Sequence, residues 1–303
     1  MHKSNSTSLC LLLGLLASTG SRSASAQQPA PPPPIEQLYK MPAVLTVPGM
    51  DKAQIRRDIV YRSVETEKGK LDLKFDLYLP AGAKPGDSFP AVIFISGGGI
   101  EGAPRDWRDG GVYQSYGRIL AASGLVGITY SKRYAPGPSA ENGIADTRDL
   151  VAYLREHAAD LHIDKDRFAY WAFSGGGGVL ASVLAESAPA TRAVLCFYCV
   201  SEANTSGLSP EDAEKKRRVF SSVYQVQQGS HPLPPLFIAR AGLDSPALNA
   251  GIDALVSAAL AKNLSIELMN HPAGRHGFDI IDTDDRSREI IRHALDFLKK
   301  TLF

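Results

Sequence analysis

Four short runs in this chain are apolar almost from end to end: AVIFI (91–95), FAYWAF (168–173), AVLCFYCV (193–200) and LFIARA (236–241). A strand with one face in water alternates apolar and polar residues. A strand apolar on both faces has to be covered on both, which describes the interior of a parallel sheet between two layers of helices. LVGIT (125–129) and SIELM (265–269) extend the series, whereas LDLKFDLYLP (71–80) alternates and reads as a half-exposed, antiparallel strand at one edge. Between the runs, apolar residues return at about every 3.6 positions. Ile144, Leu150, Val151, Leu154, Ala158 and Leu161 share one stripe; Leu248, Ile252, Leu255 and Leu260 a second; Ile290, Ile291, Ala294, Phe297 and Leu298 a third. Strand and helix alternate, so the expected class is α/β: one mostly parallel sheet flanked by helices.

Open sheets of this kind bind ligands beyond the carboxyl ends of their strands, and those ends carry reactive residues here. The run 168–173 stops at Ser174, four glycines follow, and VLASVLAES (179–187) continues as a helix. Each internal helical glycine costs about 1 kcal/mol relative to alanine, so the glycines need a reason. A serine on a sharp strand-to-helix turn supplies one: the turn is strained, and strand and helix approach too closely for side chains. The usual form is G-x-S-x-G; Ala172 replaces its first glycine. The amide of Gly175, at a helix N-terminus, then faces the place where an oxyanion would form.

FISGGGIEG (94–102) follows another buried strand, and its glycines can aim bare amides at the same oxygen; the sequence leaves open whether Gly97 or Gly98 does so. No G-K-[ST] follows, which argues against a phosphate loop. Asp244 lies just past the run 236–241, and His276 in the loop after the last strand; Glu202 is the second candidate for the acid. The chain order is Ser174, Asp244, His276. Taken alone, Asp244 could be a helix cap and His276 a surface residue. Together, each stands where a catalytic triad needs it.

Several function classes find no support. Lys and Arg number 33 against 32 Asp and Glu, with no basic stripe, so charge gives no argument for nucleic acid or an anionic membrane. The pairs His271/His276 and His157/His162 lack a third ligand at metal-site spacing, so no metal is expected. KKRR (215–218) reads as a solvated helix face. Cys196 and Cys199 lie in an apolar strand, where three steps span about 10 Å and turn side chains to opposite faces; buried, inert thiols are expected.

The N-terminus reads as an export signal over residues 1–26: His2 and Lys3, the apolar run LCLLLGLLA (9–17), and ASA (24–26) before a cleavage point near Ala26. The run is too short to span a membrane, which takes about 20 residues. QQPAPPPP opens a proline-rich spacer expected over 27–50, and the folded domain is expected over 51–303. The segment 202–234 is a candidate small lid.

From about residue 55 to 303 the chain resembles the α/β-hydrolase superfamily, in particular its dienelactone-hydrolase-like and esterase/lipase branches. AVIFISGGG, IDKDRFAYWAFSGGG, ARAGLDSPALN and GRHGFD carry the likeness. It implies a single domain with an eight-stranded, mostly parallel sheet and a Ser-His-Asp hydrolase without a cofactor. Dienelactone hydrolases carry cysteine at the elbow, so their substrate does not transfer to a chain with Ser174. Where lipases often read H-G-G-G, this chain has Ser96 in the first place. The expected activity is cleavage of a small-molecule or polymer-linked carboxylic ester by an exported enzyme. A prolyl-oligopeptidase-like peptidase is the first alternative, although such relatives usually carry a large extra domain for which the roughly 50 residues before the first strands leave no room. A non-catalytic scaffold of the same fold is the second.

Overall fold

The structure, a computed structural model, describes residues 33–67, 69–98, 106–133 and 140–303. The expected export signal and the start of the spacer lie outside these residues, as does the end of the 94–102 loop. One sheet holds β1 (Gln54–Thr66), β2 (Gly69–Leu79), β3 (Phe89–Ile95), β4 (Val126–Tyr130), β5 (Ile163–Phe173), β6 (Thr191–Phe197), β7 (Leu236–Ala241) and β8 (Ile266–His271), in the spatial order β1-β2-β4-β3-β5-β6-β7-β8. The pairs β1/β2 and β2/β4 are antiparallel and all others parallel. This is the eight-stranded, mostly parallel sheet of an α/β-hydrolase.

The helices are α1 (Ile35–Lys40), α2 (Gly111–Ala122), α3 (Ala140–Glu156), α4 (Gly177–Ala185), α5 (Pro210–Phe220), α6 (Ser222–Gln228), α7 (Pro246–Ala261), α8 (Phe278–Ile281) and α9 (Asp285–Leu302). Their starts are written in the sequence. Ser209 and Ser245 each cap a helix that has proline in its first turn, and Asp284 accepts from the amide of Ser287 at 2.8 Å to cap α9. Among the described residues no helix is long and apolar enough to cross a membrane.

The continuously apolar strands divide their residues between two cores. Phe168, Tyr170 and Ala172 of β5 face one core together with Leu150 and Leu154 of α3, Leu180 of α4 and Ile252 of α7. Ala169, Trp171 and Phe173 face the other together with Tyr116 of α2 and Ile290 and Phe297 of α9. Both faces of the central sheet are thereby dry, as the runs required.

Three expectations need correction. The folded domain begins before residue 51: Ala43 and Leu45 are buried in the second core, and the amide of Val44 donates to the carbonyl of Asp279 at 2.8 Å. Met41, Ala43, Leu45 and Val47 alternate with their neighbours, a short strand-like pattern overshadowed by the prolines before it. The 202–234 segment is largely not a lid. Val223 and Val226 of α6 are buried in the first core, so α6 serves as the crossover helix between β6 and β7; α5 is the exposed half, with only Ala213 buried. Its KKRR stretch faces solvent and pairs along the helix, Lys215 with Glu211 at 2.7 Å and Arg218 with Glu214 at 3.3 Å.

The third correction concerns the cysteines. Both are free and buried, but Cys196 and Cys199 belong to the same core rather than opposite faces. β6 ends at Phe197, and Tyr198 turns with φ +40°, which breaks the strand alternation between the two thiols.

Candidate active site

β5 delivers Ser174 in a strained conformation. Phe173 is extended, Ser174 has φ +50°, and one turn of 3-10 helix over Ser174–Gly176 leads into α4. A positive φ on a residue with a Cβ costs on the order of 1–2 kcal/mol. The glycines behind it answer the crowding the turn creates. A Cβ at Gly176 would run into the carbonyl oxygen of Ile95, and one at Gly177 into that of Val200. Both neighbours are backbone of adjacent strand ends and cannot step aside. Ala172 is tolerated because its methyl fills the first core rather than this seam.

β7 and β8 bring the other two residues. The amide of Gly242 donates to the carbonyl of His271 at 2.8 Å, and that of Leu243 to Gly274 at 2.9 Å, so the turns after the two strands are stitched together. Asp244 stands in one turn, with its side chain 5% exposed, and His276 in the other, 38% exposed. His276 Nδ1 lies 2.6 Å from Asp244 Oδ2, and His276 Nε2 lies 2.8 Å from Ser174 Oγ. A carboxylate can only accept, so Nδ1 carries the ring proton and Nε2 is left to accept from the serine hydroxyl. The second oxygen of Asp244 accepts from the amide of Ser245 at 2.7 Å, which fixes the carboxylate plane.

The other candidates are placed elsewhere. Glu202 accepts from Ser221 Oγ at 3.0 Å and touches neither His276 nor Ser174 by hydrogen bond. His271 is buried, its Nε2 3.1 Å from both Asp284 and Ser287 Oγ. Among the described residues no group of three His, Cys, Asp or Glu is arranged to hold a metal ion.

Beside the serine, the backbone of β3's terminal loop comes close. A Cβ at Gly97 would sit 3.0 Å from Ser174 Cβ, and one at Gly175 3.2 Å from the nitrogen of Gly98. The two amides that the sequence could not separate now differ. That of Gly97 donates to Tyr113 Oη at 3.2 Å, whereas that of Gly98 has no partner among the described residues.

Three supporting groups were not recognised from the sequence. Tyr113 reaches Gly97 from α2. Lys132, past the end of β4, donates to Ser96 just before the glycines. Asp279, wholly buried three residues after His276, accepts from Tyr198 Oη at 2.6 Å and Tyr116 Oη at 2.8 Å. Burial holds its carboxyl above the usual carboxylate range, against the lowering effect of those two bonds. The same burial raises the phenols of Tyr113, Tyr116 and Tyr198. An acid closing the apolar HGFD stretch and a lysine closing LVGITYSK were the available signals.

A family model described as BD-FAE matches residues 75–240, more than half of the chain. Among solved structures, the chain is similar to the thermophilic esterase Est2 of the planctomycete Thermogutta terrifontis. With propionate bound, that protein superposes with a TM-score of 0.63 at 22% identity, over 84% of this chain and 96% of that one. With butyrate bound the values are 0.62, 22%, 84% and 95%, and after phosphorylation by paraoxon 0.63, 22%, 83% and 95%. At this identity the likeness establishes the fold.

Proposed function

The chain belongs to the BD-FAE family of α/β-hydrolase esterases and is a serine carboxylic ester hydrolase; from that premise we propose that Ser174, His276 and Asp244 are its catalytic triad and that it acts after export. Ser174 Oγ attacks the acyl carbon as His276 Nε2 takes its proton. Asp244 keeps the ring in the tautomer this requires and stabilises the imidazolium. The amides of Gly98 and Gly175 receive the oxyanion, each worth about 3 kcal/mol in the transition state. His276 then gives its proton to the leaving alcohol oxygen, and the acyl group stays on Ser174. Water attacks the acyl-enzyme, His276 again accepting the proton, and collapse of the second tetrahedral intermediate returns that proton to Ser174.

The observation that carries this reading is the continuous chain of bonds from Ser174 Oγ through His276 to Asp244, 2.8 and 2.6 Å, between residues 102 and 32 positions apart. Propionate and butyrate bind the Thermogutta enzyme, which makes short acyl esters the class to assay first. The test is labelling with an organophosphonate, located by mass spectrometry. One equivalent on Ser174, with parallel loss of esterase activity and no labelling of Ser174→Ala, is the expected result. Inactivation with the label on another residue refutes the triad. Export rests on the basic start, the short apolar run and the small residues before Gln27. A mature chain beginning at Gln27 outside the cytoplasm is expected, and a chain retained inside with Met1 in place overturns it.

A further inference from the structure

The Ser96–Gly97 peptide is held at both ends. Its carbonyl oxygen accepts from Lys132 Nζ at 2.9 Å, and its N–H donates to Tyr113 Oη at 3.2 Å. Lys132 also donates to Ser96 Oγ at 2.6 Å. The next peptide along carries the amide of Gly98. Two consecutive glycines would otherwise leave that amide free to rotate, because glycine restricts neither φ nor ψ. Pinning the peptide before it removes most of that freedom.

Lys132 is itself held in place. β3 and β4 are parallel neighbours, with Ile93 opposite Ile128, so residues past the end of β4 stand beside residues past the end of β3. On one side of Lys132, the amide of Ser131 donates to the carbonyl of Lys74 at 2.8 Å, its carbonyl accepts from Tyr61 Oη at 2.6 Å, and its hydroxyl donates to Asp106 at 2.5 Å. On the other side, Arg133 clamps the buried Asp146 through its backbone amide at 2.7 Å and its guanidinium at 2.7 and 3.1 Å. The lysine between them is 9% exposed. An ammonium is costly to bury, and the ester-cleaving chemistry described above gives this one no proton to move.

We infer that Lys132 is a positioning residue of the esterase: its ammonium fixes the Ser96–Gly97 peptide so that the Gly98 amide meets the oxyanion, and places a positive charge behind the loop that receives the negative one. The inference rests on the ester-hydrolase reading. It brings a pH signature. Burial lowers the ammonium to about 8, with Asp106 and Asp146 opposing that shift. Asp146 is paired with Arg133, and Asp106 lies 3.9 Å from Arg108; the Tyr130 ring lies 5.6 Å from Nζ. The charge is therefore present at neutral pH and lost as pH rises through that value. A serine hydrolase that needs only neutral histidine has no reason to lose activity there.

The experiment compares wild type, Lys132→Met, Lys132→Arg and Ser174→Ala on p-nitrophenyl butyrate between pH 6 and 10, and measures inhibition by a trifluoromethyl ketone, whose adduct with serine carries an oxyanion. In wild type, kcat/KM should fall on the alkaline side with an apparent pKa near 8. Lys132→Met should lower kcat at least about 30-fold with KM within about threefold, lose the alkaline limb, and weaken the ketone by the same factor as kcat/KM. Lys132→Arg keeps its charge throughout the range, so it should also lose the limb while retaining more activity than Lys132→Met. If Lys132→Met does not fold, the Lys132→Arg profile decides, and persistence of the limb in it overturns the inference. So does a folded Lys132→Met with kcat within threefold of wild type, or with unchanged ketone affinity. If Ser174→Ala is as active as wild type, it is the assignment of Ser174 as the nucleophile, on which this inference rests, that has failed.

Discussion

The ring of Tyr198 stands edge-on to the imidazole of His276, centroids 4.7 Å apart, while its hydroxyl donates to Asp279 at 2.6 Å. A bulky residue with φ +40° is an outlier, and holding it there costs on the order of 1–3 kcal/mol. The bond to Asp279 keeps the ring in that position, and the ring in turn forms one wall against which the histidine rests. Asp279, Tyr116 and Tyr198 therefore make a buried polar floor under the imidazole of His276, set among the aromatic rings of Phe173, Phe197 and Phe278.

The charge in that floor should be readable in the stability of the protein. The pKa of Asp279 is raised by folding, so the native state binds its proton more tightly than the unfolded chain does. The contribution is full below the unfolded value and is lost as pH rises through the folded one. The stability of wild type minus that of Asp279→Asn, from urea midpoints, should therefore grow as pH falls from 8 towards 4. A difference that is flat, or that grows with rising pH, would contradict the assignment. Tyr198→Phe, which removes one donor from the buried carboxylate, should cost about 2 kcal/mol at pH 7.

The two acids that the sequence offered should separate cleanly by mutation. Asp244 bonds His276 at 2.6 Å, whereas Glu202 bonds Ser221 at 3.0 Å. Asp244→Asn presents an amide that can favour the wrong histidine tautomer, and a loss of about 10⁴ in kcat with little change in KM is expected, as in other triads. Glu202→Gln should stay within threefold of wild type. Steady-state kinetics on one short acyl ester measures both.

The three residues that hydrogen-bond in series, Ser174, His276 and Asp244, were legible as a group because each stands where an apolar run stops. Ser174, Asp244 and His276 follow β5, β7 and β8, and local order alone marks such places. The supporting residues were not, because their roles depend on which strands are neighbours. Lys132 meets Ser96 only because β4 lies beside β3, and Asp279 meets Tyr116 only because α2 packs under the loop after β8. α2 was missed for another reason. Gly110, Gly111 and Gly117 read as breaks in a helix, yet a Cβ at Gly117 would enter the ring of Tyr78, and one at Gly111 the carbonyl of Lys40. β1, the outermost strand, was also hidden, since an edge strand exposed along most of QIRRDIVYRSVET shows no clean alternation.

Two glycines near Ser174, one on each of the segments that meet there, should differ in what they protect. At Gly177 a methyl would collide with the carbonyl of Val200 and lie 3.0 Å from Cys199 Cβ, in a seam made of backbone. Gly177→Ala should cost about 3 kcal/mol or more in stability, seen as a lower thermal midpoint. At Gly97 the added methyl would lie 3.0 Å from Ser174 Cβ and 3.5 Å from its Oγ. Gly97→Ala should lose activity at least tenfold with a smaller change in midpoint, because the clash falls on the side chain of Ser174, the proposed nucleophile. Equal losses of stability in the two variants would count against this division.

Cys199 donates its thiol to the carbonyl of Ala172 at 3.2 Å, two residues before Ser174, and burial beside Cys196 pushes it well above the ordinary thiol range. With both side chains at 2% exposure or less, neither should react as a thiolate at neutral pH, since reactivity needs both ionisation and access. A chain cut after Ala26 has lost Cys10. In that mature form, a dithionitrobenzoate titration at pH 7.5 should find no reactive thiol in the native protein and two in guanidinium chloride. One fast thiol in the native state would show that the seam beneath the elbow opens to solvent, and no thiols after denaturation would show that the pair had formed a disulfide.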